Sequence, residues 1–429
     1  MKVLVTGASG LIGSAVCARL SAEGHEVIAA VRPGSRPLPM AAREAVEIDM
    51  ARAGGPEAWA PHLGGVDAVV NCAGVFQDNP RDSTRGVHVT GAEALFRACE
   101  TAGVRRVIHF SALGVDRERP TAFSTTKLQG DTLLMERDLD WVILRPSVVL
   151  GRSAFGGSAL MRGLAALPLM PVMRHTGQLQ VVQLDDVAAT IAFFLRPSAP
   201  SRLTLELAGP ERLSMSEVVA TYRRWLGWQP ARGLTLPDAL THLLYRLGDF
   251  AGRLGWRPAI RSTAEKEIAL GAVGDPTHWT EVTGIRPTAL AAALEKQPAG
   301  VQERWFAKLF FLKPVIFIVL AAFWIVTGIV SLTAGFREGV DLLMRTGAGT
   351  LSAPGVVAGA LADIAIGLAI AWRQTARQGL YGAIALSLLY AVASTLLMPS
   401  LWADPLGPLV KIVPIFVLHL VALAILDER

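Results

Sequence analysis

Residues 5–14 read VTGASGLIGS and place glycines at 7, 10 and 13. The run before them, KVLVT (2–6), is a short apolar strand segment. The run after them spaces Leu11, Ile12, Val16 and Leu20 as one side of a helix would. Strand, glycine turn and helix in that order suit a pyrophosphate held at a helix N-terminus, because glycines let the backbone approach closely. A glycine pattern alone is weak evidence, but GHEVIAAVR (24–32) follows as a second strand and supplies the context that the motif needs. A nucleotide-binding turn is expected here, made by Gly7, Ser9, Gly10, Leu11, Ile12 and Gly13.

The end of the second strand chooses the cofactor. A carboxylate there would take the ribose 2′-hydroxyl, but the chain offers Arg32, then Arg36, and no acid until Glu44. A guanidinium suits a 2′-phosphate, so NADP is expected, with NAD the alternative. Further strands follow at VDAVVNCAG (66–74), RRVIHFSALG (105–114) and DWVILRPSVVLG (140–151), with helical segments between them. Alternating β and α elements predict an α/β fold, a doubly wound parallel sheet. Ligands gather at the carboxyl ends of such strands, where Ala73, Gly74, Ser111 and Pro146 fall.

Together, TGASGLIG (6–13), NCAG (71–74), FSALG (110–114), the segment ending at Lys127, LRPSVVLG (144–151) and QVVQLDDVA (180–188) resemble the extended and atypical short-chain dehydrogenase/reductase superfamily. The branch that they resemble is the one similar to an accessory subunit of respiratory complex I, over about residues 1–230. The resemblance implies a Rossmann domain with bound NAD(P), a small substrate lobe, Asp49 near the adenine and Lys127 on the nicotinamide ribose. It also implies a tyrosine four residues before the lysine as proton donor, and a serine at the preceding strand end, here Ser111, to orient the substrate. Lys127 and Ser111 are therefore the candidate catalytic residues.

The segment AFSTTK (122–127) departs from that pattern, since Phe123 stands at the tyrosine position. Hydride arriving at a carbonyl leaves an alkoxide that needs a positioned acid, and losing one costs about 10²- to 10⁴-fold. Three readings stay open. Ser124 or Thr125 stands in as the acid. The hydride goes to a quinone-type, lipid-soluble acceptor that takes its proton from solvent. Or the nucleotide is held structurally, in an assembly or sensor protein of a membrane complex.

Composition frames these choices. The 429 residues are 52% hydrophobic and only 18% charged, with a net charge of +5 that forms no basic block, so nucleic acid is excluded as a partner. Cys17, Cys72 and Cys99 are too few and too irregular for a disulfide framework or a zinc site, and fit reduced thiols in a cytosolic compartment. MKVLVTGASG does not suit a secretory signal, because glycines interrupt the apolar run. His109 lies within a strand and is expected to pack rather than act as a base. His88, His175, His242 and His278 lack partners at metal-ligand spacing. Asp185 and Asp186 are expected to cap a helix N-terminus.

Beyond residue 150 the pattern mixes loops and helices. Ser214 and Glu217 form a capping box that opens a helix. LTHLLYRLGDFAGRL (240–254) places Leu240, Leu243, Leu244, Leu247, Phe250, Ala251 and Leu254 on one face. That face suits either the core of the substrate lobe or a bilayer surface, with Trp256 and nearby arginines at headgroup level.

From residue 309 the solvent changes. Only 7 Lys/Arg and 6 Asp/Glu occur in those 121 residues, and 314–336 carry no charge at all. Four spans are expected, at about 314–336, 355–372, 379–401 and 405–426, which resembles the DoxX-like membrane family. Trp305, Trp372 and Trp402 sit near span ends, and Gly355 with Gly359 forms a G-x-x-x-G step for helix packing. Arg304, Lys308, Lys313, Arg373 and Arg377 fall on one side, so both termini and the nucleotide domain are expected in the cytoplasm, at the cell inner membrane. Asp363 and Lys411 lie at comparable depth and are expected to pair, or else Lys411 snorkels outward; His419 lies nearer the cytoplasmic side. The expected organisation is a nucleotide-binding domain (1–230), a helical extension and linker (231–308) and an all-α four-helix membrane domain (309–429).

Overall fold

The computed structural model describes residues 1–35, 40–80, 82–118 and 120–427, so Arg36 lies outside the described residues. Its strands are β1 (Lys2–Thr6), β2 (Glu26–Val31), β3 (Glu44–Glu47), β4 (Ala68–Asn71), β5 (Arg106–Phe110), β6 (Asp140–Pro146), β7 (Val149–Leu150), β8 (Leu169–Val172), β9 (Val182–Gln183), β10 (Leu203–Leu207) and β11 (Arg232–Thr235). The helices in the first part of the chain are α1 (Leu11–Ala22), α2 (Gly91–Ala102), α3 (Ala122–Met135), α4 (Gly156–Ala165), α5 (Leu184–Phe194) and α6 (Met215–Trp225). They continue with α7 (Asp238–Arg253), α8 (Ser262–Leu270), α9 (Thr277–Thr283), α10 (Leu290–Glu295) and α11 (Val301–Leu309). The rest of the chain holds α12 (Leu312–Leu332), α13 (Phe336–Arg345), α14 (Ser352–Ala371), α15 (Ala376–Leu397) and α16 (Ile412–Ile425). Two compact units result: Met1–Asp249 with Pro258–Ala307, and Phe250–Arg257 with Lys308–Arg429.

The first unit is built on a seven-stranded, wholly parallel sheet in the order β10-β6-β5-β4-β1-β2-β3. The order reverses between β1 and β4, and ligands of such sheets bind outside the carboxyl ends at that point. Period-two alternation feeds two cores. Val3 and Val5 pack on one face with Val16, Leu20 and Ile191, while Leu4 packs on the other with Ile28, Leu95 and Phe96. Both faces are buried, as the apolar strand runs require. Sequence reading misses β3 and β10. β3 is a four-residue edge strand that buries only Val46, too short to show a period.

Ser214 does form the capping box: its hydroxyl accepts from the Glu217 amide at 3.2 Å, and the Glu217 carboxylate accepts from the Ser214 amide at 2.7 Å. Asp185 and Asp186 do not cap. Gln183 holds the cap position of α5, both acids lie in the first turn, and Asp186 accepts from the Thr288 amide (2.8 Å) and hydroxyl (3.2 Å). Asp186 therefore fastens a distant loop instead of its own helix end.

In the second unit α12, α14 and α15 are long and apolar enough to cross a membrane, at 20 to 22 residues each. The fourth expected span is shorter. Pro405, Gly407 and Pro408 delay the helix, and α16 begins only at Ile412, so its 14 residues reach about 21 Å. Large apolar side chains such as Ile318, Leu361, Leu368, Leu389 and Leu396 point outward, a surface that suits hydrocarbon. Trp305, Trp372 and Trp402 are exposed near the helix ends.

Close helix approach does not use the expected glycines. A Cβ on Gly355 would meet only the Leu343 side chain, and one on Gly359 the Tyr390 hydroxyl at 3.1 Å. Backbones meet instead at Gly328, where a Cβ would lie 2.5 Å from the Ala360 carbonyl oxygen, and at Gly367, where it would lie 2.8 Å from that of Ala321. The Asp363–Lys411 pair does not form either. Asp363 is buried and accepts from the Tyr390 hydroxyl at 3.2 Å, while Lys411 is exposed at the start of α16. Depth was counted along a regular helix, but α16 starts only at Ile412, so Lys411 lies before it as its cap. His419 is fully buried and its Nε2 accepts from Trp324 Nε1 at 2.9 Å.

The Gly328 contact sets a test. Gly328→Val forces α12 and α14 apart, an overpacking cost of about 1–3 kcal/mol, and should lower the detergent melting temperature by several degrees. Gly355→Ala should leave it nearly unchanged. Equal shifts in a fluorescence-detected thermal scan would remove Gly328 from the helix contact.

Candidate functional site

Gly7 ends β1 with φ +61°, a left-handed backbone, and a Cβ there would lie 2.8 Å from the Ala73 amide nitrogen and the Cys72 carbonyl oxygen. Gly13 is equally constrained: its Cβ would fall 2.3 Å from the Gly7 carbonyl oxygen. The turn therefore packs directly against the carboxyl end of β4, and α1 packs against the turn. Gly10 occupies the cap of α1, no side chain caps that end, and no acid lies in its first turn. The amides of Leu11, Ile12 and Gly13 thus form an uncapped positive end of the kind that holds a pyrophosphate. Ser9 lies in the same turn. The cradle fits the dinucleotide that the sequence implied.

Arg32 follows β2, but its guanidinium lies 2.5 Å from the Asp82 carboxylate, which is largely buried. A 2′-phosphate would share this cation with a carboxylate already in place. Asp49 follows β3, accepts from the Ala51 amide at 3.2 Å and lies 3.6 Å from Arg52.

Polar contacts run along the carboxyl ends of the strands. Thr6 Oγ1 donates to Asn71 Oδ1 at 2.6 Å, and Asn71 Nδ2 donates to His109 Nδ1 at 3.0 Å. His109 Nε2 faces Asp131 Oδ1 at 3.6 Å. Asp131 is completely buried and accepts from Ser111 Oγ (2.9 Å) and from Arg145 (3.1 and 3.2 Å). Burial pushes the Asp131 carboxyl up, opposed by Ser111 and Arg145, and holds His109 well below its ordinary value. His109 is thus a neutral packing residue, set edge-on against Phe96. Ser111 is not free for substrate, because its proton is committed to Asp131. Pro146 closes β6 and its carbonyl accepts from Leu113.

Lys127 projects from α3 into this layer. Its Nζ donates to the Phe110 carbonyl at 2.7 Å, and a Cβ on Gly74 would lie 3.5 Å from it. Burial lowers its pKa to about 8, opposed by Asp131. One turn earlier, Phe123 stands in an aromatic edge, with ring centroids 5.0 Å from Phe76 and 5.7 Å from His88. His88 Nε2 accepts from the Val75 amide at 3.0 Å, and its Nδ1 meets Thr126 Oγ1 at 2.9 Å. Burial, then Lys127 and His109, push His88 down to about 2, so it stays neutral. The two hydroxyls beside Phe123 are engaged elsewhere: Ser124 donates to Glu267 at 2.9 Å and Thr125 to the Thr121 carbonyl at 2.9 Å. The loop carrying Phe76 is held in turn, since Gln77 donates to Asp249 of α7 at 3.0 Å.

Gly74 lies beside Lys127, and Ser111 meets Asp131 one turn further along α3. The structure adds Asn71, Asp131 and Arg145, which sequence reading missed, and gives His88 the partners Val75 and Thr126. Asp131 was within reach, being one helical turn after Lys127 on the same face, and Arg145 is a charge inside an apolar strand. His88 leaves no such signal.

Lys127 gives a pH test. Because burial lowers its folded-state pKa, the unfolded chain holds this proton more tightly. Its contribution is least favourable below pH 8 and recovers as pH rises from about 8 towards the ordinary lysine value of 10.5. The melting temperature of Lys127→Met relative to the parent should therefore be highest near pH 7 and should fall above pH 8. A constant difference across that range would contradict the buried, charged amine.

Residues 7–192 match the family described as NAD(P)H-binding, and residues 321–420 match the DoxX-like family. An uncharacterised protein of Mycobacterium tuberculosis is 27% identical over 226 residues, which cover 52% of this chain and 23% of that protein. This chain therefore spans less than a quarter of that relative. The ceramide reductase of Caulobacter vibrioides is 23% identical over 245 residues, 55% of this chain and 74% of that enzyme. The solved structure of WbmG from Bordetella bronchiseptica, in complex with NAD and UDP, is similar in fold, with a TM-score of 0.54 at 19% identity over 72% of this chain and 97% of that one. The chain carries an NAD(P)-binding, reductase-like Rossmann domain followed by a DoxX-like domain of membrane-associated helices.

Proposed function

We propose that the protein is a membrane-anchored NAD(P)H oxidoreductase whose acceptor is lipid-soluble and quinone-like. The observation that carries this reading is the phenyl ring of Phe123, packed on Phe76 and His88 where a carbonyl reductase needs an acid. When bound, the nicotinamide cofactor supplies a hydride. Gly7, Gly10 and Gly13 with the amides of α1 would hold its pyrophosphate, and Lys127 would meet its ribose. Phe123 offers no proton, His88 stays neutral with both ring nitrogens engaged, and Ser111 is committed to Asp131. An acceptor that draws its protons from water needs none of these groups. A curated relative named for acting on a lipid, the Caulobacter ceramide reductase, supports a lipid-soluble acceptor. The bias of cations around Lys313, Arg373 and Arg377 supports a cytoplasmic nucleotide domain at a cell inner membrane. A second reading, a nucleotide-binding assembly or sensor protein of a membrane complex, is favoured by the internal hydrogen bonds of Lys127 and Ser111.

The purified protein in detergent should oxidise NAD(P)H only when a short-chain quinone is added, followed by cofactor absorbance. Phe123→Tyr should gain carbonyl reduction of at least roughly 10²-fold over the parent, because a general acid is restored beside Lys127. Cofactor binding without any quinone-dependent oxidation, together with an inert Phe123→Tyr, would leave the assembly reading standing.

NADPH is the proposed preferred cofactor, with Arg32 shared between Asp82 and the 2′-phosphate. Arg32→Ala should weaken NADPH roughly tenfold or more, the worth of a hydrogen bond to a charged group, and leave NADH almost unchanged. Equal titration curves for NADPH and NADH in the parent protein would discard this preference.

A further inference from the structure

Helix α7 presents five large apolar side chains on one face, Leu240, Leu243, Leu244, Leu247 and Phe250, each between 39% and 58% exposed. A core helix would bury them. The opposite face fixes the helix and prevents it from turning them inward. Tyr245 is 4% exposed, with its hydroxyl 3.3 Å from the Met173 sulfur. His242 lies 2.7 Å from Glu265, and Asp249 accepts from Gln77 and the Ser262 amide.

What covers the apolar face follows from where the helix ends. Residues 250–257 belong to the membrane unit. The Leu254 carbonyl accepts from the Arg373 amide at 3.0 Å. Trp256 Nε1 donates at 2.8 Å to the carbonyl of Ala371, the last residue of α14, and its ring lies 4.7 Å from that of Phe317 near the start of α12. These contacts hold residues 254–256 at the ends of two membrane-crossing helices, which is headgroup level. Arg246 and Arg253 are exposed and flank the apolar face along the helix. A stripe of leucines with arginines along its border matches a surface-lying amphipathic helix.

We propose that the apolar face of α7 is seated in the headgroup region of an anionic lipid bilayer. The helix is thus a second membrane contact of this chain, outside the spanning bundle.

The test uses the full chain reconstituted in phosphatidylcholine–phosphatidylglycerol vesicles. Leu243→Cys, Leu247→Cys and Arg246→Cys are each labelled with an environment-sensitive fluorophore. Cys17 and Cys99 are buried and Cys72 is partly buried, so unsubstituted protein labelled in parallel gives the background. Labels at 243 and 247 should shift to the blue and be quenched severalfold more than the label at 246 by lipids spin-labelled near the headgroup. Replacing phosphatidylglycerol with phosphatidylcholine should weaken that quenching. Iodide in the buffer quenching all three positions alike would overturn the proposal. So would protection at 243 and 247 without lipid quenching, which would assign the face to a second copy or another protein. Gel filtration confirms that each labelled variant is monodisperse, and two independent leucine positions keep the outcome decisive if one variant fails.

Discussion

Thr6, Asn71, His109 and Asp131, all buried, form with Arg145 a file of polar groups across the carboxyl ends of β1, β4, β5 and β6, with α3 closing it through Asp131. Parallel strands of this kind are held by their apolar faces, which leave sliding and rotation of the covering helix weakly specified. A buried carboxylate removes that freedom, because losing one partner of a buried charged pair costs about 3–5 kcal/mol. Asp131 therefore fixes α3 against β5 and β6 in one position. Lys127 and Phe123 lie one and two turns earlier on that helix, so the placement of the whole candidate site descends from it.

The constraints that were legible in the sequence are those that act over a few residues. Gly7 and Gly13 announce themselves because no side chain fits between the β1 turn, α1 and the end of β4. Ser214 and Glu217 are similarly local, as two reciprocal bonds within one helical turn. The strands of the sheet centre were visible as apolar runs. What stayed hidden needs a partner distant in the chain: His88 against Val75 and Thr126, Asp186 against Thr288, Arg32 against Asp82. In each case the residue was seen, but the group that decides its role comes from another element.

The membrane unit shows the same division. Length and charge revealed its long helices, since hydrocarbon thickness imposes them directly. Partner choice inside the bundle did not follow from depth, because a helix also has an azimuth. Asp363 meets Tyr390 and His419 meets Trp324, while Lys411 stays at the surface. The small residues that matter, Gly328, Gly367 and Gly379 among them, are those where two backbones touch rather than those that fit a familiar spacing.

Asp249 holds Gln77, and Gln77 adjoins Phe76, which walls the ring of Phe123. The hydrogen bond couples the rotation of a greasy helix to the position of that wall. A turn of α7 about its own axis would draw Asp249 away, and the aromatic edge against Phe123 would lose its tether.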